Sequence, residues 1–139
     1  MTTPRPAYAA PLPAVDEVEA VRAGDTVRIL ARKTITATDP YLSGHFPGQV
    51  IFPGVFIIEA LRQAVATALD PAGGPGPDIL ALRSVRFLVP LRPGDVLTID
   101  AVVTSRDGRL TADARGRRAD GVTAARLRVE FDGGGWRAA

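Results

Sequence analysis

The centre of the chain holds the side chains that proton-transfer chemistry needs. His45, the only histidine, sits in Gly44-His45-Phe46-Pro47-Gly48. A ring held in a loop stiffened by glycine and proline has few rotamers, and its unperturbed pKa lies near working pH, so it suits a general base. A lone histidine more often serves structure, and its neighbours decide the matter. Glu59 is the one acidic residue within the apolar stretch Val55–Leu69. Burying a carboxylate without a partner is costly or raises its pKa, which makes it an acid candidate. The structural alternative is a salt bridge to Arg62, one turn on. Gln63, at i+4, is placed to hydrogen-bond the same carboxyl. Gly54 stands where the helix should begin. There the first backbone N–H groups lack intrahelical partners, and the missing side chain lets a ligand oxygen approach. A simple turn glycine would look the same. A base, a carboxyl acid and an N–H for a developing oxyanion together suit proton abstraction beside a carbonyl followed by loss of a hydroxyl.

These residues need elements to hold them. Asp25–Thr36 alternates Val27, Ile29 and Ile35 with polar residues, the period of a half-buried strand and the first expected here. Asp39 to Gly54 is rich in proline and glycine and reads as a loop. Pro53 suits a first helical position, and Val55–Leu69 runs without breakers to Asp70-Pro71, so a helix is expected there. Its apolar residues lie on nearly every side, so other structure must wrap it. After a Pro/Gly loop, Ile79–Val89, Asp95–Ser105, Arg109–Arg117 and Val122–Phe131 read as strands of an antiparallel meander. Asp107-Gly108 and Asp120-Gly121 are hairpin signals. A sheet curled around one central helix is the economical way to cover such a helix.

At 139 residues and 46% hydrophobic, the chain suits one domain with one core. It has no cysteine, which excludes disulfides, thiolate nucleophiles and Cys-based zinc sites. The apolar run 50–69 is interrupted by Pro53, Gly54, Glu59, Arg62 and Gln63, so it reads as a buried helix with its entry turn and no membrane span. The start, Met1 to Pro13, lacks signal-peptide order; a cytoplasmic protein with a flexible Pro/Ala-rich segment 1–14, a domain 15–132 and a tail 133–139 is expected. The basic residues are almost all arginine and concentrate after residue 82, with Arg115, Arg117 and Arg118 clustered. Without aromatic platforms or a basic helix they argue against nucleic acid, and for a solvated strand surface with one patch facing an acidic partner.

His45-Phe46-Pro47-Gly48, Phe52-Pro53-Gly54-Val55, Ile57-Ile58-Glu59-Ala60-Leu61 with Gln63, and then Arg86-Phe87, Pro90 and Pro93-Gly94-Asp95 closely resemble the signature of bacterial 3-hydroxyacyl-acyl carrier protein dehydratases of fatty-acid synthesis. The resemblance extends over about residues 15–131. It implies an α+β hotdog fold, a curled antiparallel sheet wrapped around one long central helix. It also implies a dimer joined sheet edge to sheet edge, in which His45 of one subunit works with Glu59 of the other. By this resemblance His45 takes the C2 proton and Glu59, directly or through water, protonates the departing 3-hydroxyl. Gly54 N–H polarises the thioester carbonyl, the Ile51 carbonyl holds His45 Nδ1, and Gln63 orients Glu59. A phosphopantetheine arm on an acyl carrier protein delivers the chain to a tunnel lined by Phe52 and Phe56; no metal or organic cofactor is implied.

The chain departs from that pattern at several points. Residues 11–21 echo the usual His-Arg stretch only faintly, and Leu88-Val89 stand where basic residues commonly follow the Arg-Phe pair. Gln49-Val50 replaces a basic residue and proline, and Arg62 replaces a small or apolar residue. These changes suit a dehydratase of a polyketide or other specialised pathway. Arg62 is expected to face solvent or a partner chain, because a cation beside Glu59 would oppose its role as an acid. The rival readings are a weakly active subunit paired with an active homologue in a heterodimer, and a hotdog thioesterase. Retention of His45, Gly54, Glu59 and Gln63 together argues against the first, and the His-Phe-Pro-Gly signature against the second. A homodimer or higher oligomer is the expected assembly.

Overall fold

The structure, a computed structural model, describes residues 13–36, 52–74 and 76–133. The elements in chain order are β1 (Glu17–Ala23), β2 (Thr26–Thr34), α1 (Gly54–Leu69), β3 (Ile79–Phe87), β4 (Val96–Arg106), β5 (Arg109–Arg117) and β6 (Thr123–Asp132). The strands form one antiparallel sheet in the order β1-β2-β4-β5-β6-β3.

Period-two patterning decides which face is the core. Val27, Ile29 and Ala31 of β2, Leu97, Ile99, Ala101 and Val103 of β4, Leu110 and Ala112 of β5, and Leu127, Val129 and Phe131 of β6 are all buried. From α1 come Ile57, Ala60, Leu61, Ala64, Val65 and Ala68. The alanines leave room for the helix to lie close over β1, β2 and β4. Lys33 is the one buried charged residue among those described, and its Nζ lies 3.6 Å from Asp16 Oδ1, which ties the start of β1 to β2.

β4, β5 and β6 form the expected meander. Asp107 and Gly108 both adopt positive φ, 52° and 75°, the conformation of a type I′ turn that matches strand twist. Three expectations change. An additional strand, β1, precedes the expected first one. β3 does not neighbour β4 but closes the far edge beside β6, so Pro93-Gly94 lies in a crossover. In that crossover Leu91 is buried and its carbonyl accepts Phe52 N–H at 2.7 Å, while Gly94 N–H donates to the Ile35 carbonyl at 2.8 Å. The crossover thus fixes the segment leading into α1. Finally, α1 is not wrapped on every side by the described residues. Val55 is 63% exposed, and Phe56, Ile58, Glu59, Arg62 and Gln63 are only partly buried, because the sheet covers one face. No helix among the described residues is long and apolar enough to cross a membrane.

Candidate active site

Pro53, with extended backbone, is the residue just before α1, and no side chain caps the helix. Pro53 therefore lies outside the helix rather than at its first position, and Gly54 is the first helical residue. The unpaired N–H groups of the first turn remain available to a ligand oxygen. The Phe87 ring lies directly against Gly54: a Cβ there would meet its Cε2 at 2.6 Å and its Cζ at 2.7 Å. Phe52, Pro53, Gly54, Ile57, Phe87 and Leu91 border an apolar cleft of about 240 Å³ at this end of the helix. Phe52 is thus a wall of the cleft, whereas Phe56 packs on Phe52 with ring centroids 6.1 Å apart and does not border it.

Glu59 lies on the open side of α1 inside a set of donors. Arg62 holds its carboxyl at both oxygens, Nε donating to Oε2 at 2.8 Å and Nη2 to Oε1 at 2.6 Å. Gln63 Nε2 donates to Oε1 at 3.0 Å. The Gln63 amide is itself oriented, because its Oε1 accepts the backbone N–H of buried Ala14 at 2.9 Å. With that N–H in place, Gln63 must present its NH₂ to Glu59 and can only donate. The Arg62 guanidinium, and then Gln63, hold the Glu59 carboxyl below the ordinary carboxylate value, against the opposing pull of partial burial. Arg62 in turn is held above the usual guanidinium value by Glu59.

The expectation that Arg62 faces solvent or a partner is therefore corrected. At i+3 the two side chains share one helix face, and the planar guanidinium fork matches the carboxylate. The consequence is testable. A carboxyl whose folded value is depressed stabilises the fold above its unfolded value, about 4.3, and that contribution is lost as pH falls through the folded value. Arg62→Ala should lower stability at neutral pH, with the deficit fading on acidification, and should move the Glu59 limb of the pH–rate profile upward. Denaturant melts and rate profiles across acid pH measure both; an unmoved limb would mean that the pair does not exist in the working enzyme.

Gly54 and Glu59 are five residues apart on one helix, a rise of about 7.5 Å and a rotation of about 140° around the axis. They point to different sides. His45 and Ile51 lie outside the described residues. Sequence reading missed two contributors: Ala14, whose role is a backbone N–H that no side chain advertises, and Phe87, noticed only as part of a motif.

Residues 20–125 match the family described as ApeI-like, ApeI dehydratase, which is most of the chain. The chain belongs to this dehydratase family. It is 36% identical over 118 residues to the 3-hydroxyacyl-[acyl-carrier-protein] dehydratase FabZ of Anaeromyxobacter sp. (strain Fw109-5), covering 80% of this chain and 73% of the relative. Its identity to FabZ of Oenococcus oeni is 41% over 96 residues, 67% of this chain and 68% of the relative. Among solved structures, the dehydratase heterocomplex ApeI:P from Xenorhabdus doucetiae superposes with TM-score 0.64 at 22% identity, covering 85% of this chain and 97% of that one. The E. coli PaaI protein gives TM-score 0.61 at 20% identity, covering 84% and 81%. At such identities the structural likeness is one of fold, and the fold is the hotdog.

Proposed function

We propose that this dehydratase converts a (3R)-3-hydroxyacyl thioester on an acyl carrier protein to the trans-2-enoyl thioester, in fatty-acid or specialised polyketide synthesis in the cytoplasm. The observation that carries the reading is the placement of Gly54 and Glu59. One helix directs its N–H terminus into an apolar cleft and its carboxyl elsewhere, onto its open side, so a site using both needs two chains. In the proposed site His45, its Nδ1 held by the Ile51 carbonyl, takes the C2 proton, and Gly54 N–H polarises the thioester carbonyl. Glu59 of the other subunit, oriented by Gln63, protonates the leaving hydroxyl directly or through water. Phe52 and Phe56 line the acyl path. The two proton transfers have side chains of their own, so no metal or organic cofactor is invoked.

The free edge of β3 supports such an assembly. β3 pairs with β6 on one side only, and Leu80, Leu82, Phe87 and Leu88 are each at least half exposed. An apolar unpaired edge is a template for another strand. A second reading, a weakly active subunit beside an active homologue, draws on the Arg62 pair, which opposes an acid role for Glu59. Incubation with 3-hydroxyacyl and enoyl carrier thioesters, followed by mass spectrometry, separates the readings. Loss of one water is expected; free acid would mark a thioesterase, and no product a partner subunit. Light scattering at micromolar concentration should give at least a dimer, and a fully active monomer would contradict the shared site.

A further inference from the structure

The outer face of the sheet treats its arginines in two ways. Arg83 and Arg109 share Glu130, Arg128 pairs with Asp113, Arg117 with Asp100, and Arg118 with Asp120. Arg86, Arg115 and Arg126 are exposed and have no carboxylate partner among the described residues. The register nonetheless sets them side by side, with Arg126 of β6 opposite Arg86 of β3 on one flank and Arg115 of β5 on the other. Adjacent strands lie about 4.8 Å apart, so three unpaired cations start from backbones within about 10 Å of one another. Like charges directly opposite in a sheet destabilise it. The nearby carboxylates Asp100 and Asp113 are already committed to Arg117 and Arg128, and the row borders a shallow concavity of about 480 Å³. An anionic ligand would turn this internal repulsion into binding.

Position along the strand indicates which one. Side chains of successive strand residues point to opposite faces. Arg86 therefore stands on the outer face directly behind Phe87, whose ring borders the Gly54 cleft. β3 is the edge strand, so the row and the cleft are separated by the width of one strand. At the cleft mouth Leu88 and Val89 supply no cation, and the row provides the nearest unpaired group of them on this edge. We propose that Arg86, Arg126 and Arg115 form the docking surface for an acidic face of the acyl carrier protein, with Arg86 nearest the phosphodiester of its arm. This rests on the carrier-dependent dehydratase reading.

The test compares delivery with chemistry. In Arg86→Glu/Arg115→Glu/Arg126→Glu, kcat/KM for a carrier-bound 3-hydroxyacyl substrate should fall by about 10–10³, the range of electrostatically steered association. The same acyl group on a pantetheine thioester should turn over as in the parent. Rising salt should slow the parent with carrier substrate and leave the triple variant flat, because steering is screened. An unchanged carrier rate, or an equal loss on both substrates, overturns the docking surface. So does binding of single-stranded nucleic acid by the row with no effect of the variant on the carrier. If the parent dehydrates neither substrate, the dehydratase reading fails instead. Calorimetric titration of parent and variant with the holo-carrier then still decides the surface, and equal affinities reject it.

Discussion

His45→Ala is expected to fold as the parent does and to lose about 10²–10⁴ in dehydration rate, the range for a positioned general base. His45 is the sole imidazole in the chain, so no neighbour of the same chemistry replaces it at neutral pH. Glu59→Gln should do nearly as much damage, since the amide keeps the size of the side chain and cannot release a proton to the leaving hydroxyl. The stronger check uses mixed dimers with His45→Ala on one subunit and Glu59→Gln on the other. If each site takes its base from one chain and its acid from the other, one of the two sites in such a dimer is intact and about half the parent activity returns. Sites contained within single chains would give no recovery. The rotation between Gly54 and Glu59 around α1 leads us to expect recovery.

Gly54→Ala should be nearly silent in stability and severe in activity, with a loss of about 10²-fold, comparable to removing one oxyanion donor. The added methyl would stand 2.6–2.9 Å from three carbons of the Phe87 ring, closer than carbon atoms pack. Phe87 is half exposed, so its ring can swing aside at little cost. Alanine is also the better helix former, which offsets what is lost. The displaced ring, however, moves within the cleft, and the methyl occupies the approach of a carbonyl to the helix N-terminus. Gly54→Ala/Phe87→Leu separates the two causes. Relief of the ring contact without return of turnover is expected; full return would mean that Gly54 serves Phe87 packing and not the substrate.

Much of this was legible from one sequence because it depends on local physics. The helix was readable from an unbroken apolar run stopped by Asp70-Pro71, and the hairpin between β4 and β5 from Asp107-Gly108, which tolerates two positive φ angles. The pairing of catalytic types was readable from His45, Glu59 and Gly54 as residues out of place in loop, helix and helix start. β1 escaped because it is an edge strand exposed along nearly its whole length. Its order comes from backbone pairing with β2 and from Asp16, whose N–H donates to the Arg32 carbonyl at 2.7 Å, and none of this leaves an apolar signature. The place of β3 beside β6 was equally hidden, since strand order is set by crossovers and shared burial, not by sequence neighbours.

Side-chain partners needed three dimensions most of all. Arg62 was visible as an anomaly, yet its spacing from Glu59 allowed either a pair or an outward turn; the structure shows the pair, with Gln63 oriented by an amide from a segment 49 residues earlier. The arginine row draws on β3, β5 and β6, and only strand register brings Arg86, Arg115 and Arg126 together. The sequence by itself determined the elements and the chemical types available, because these follow from periodicity, turn stereochemistry and charge. The tertiary structure alone decided which charges are neutralised and which are left to bind, because a carboxylate cancels a cation only across a few ångströms, a distance that folding sets.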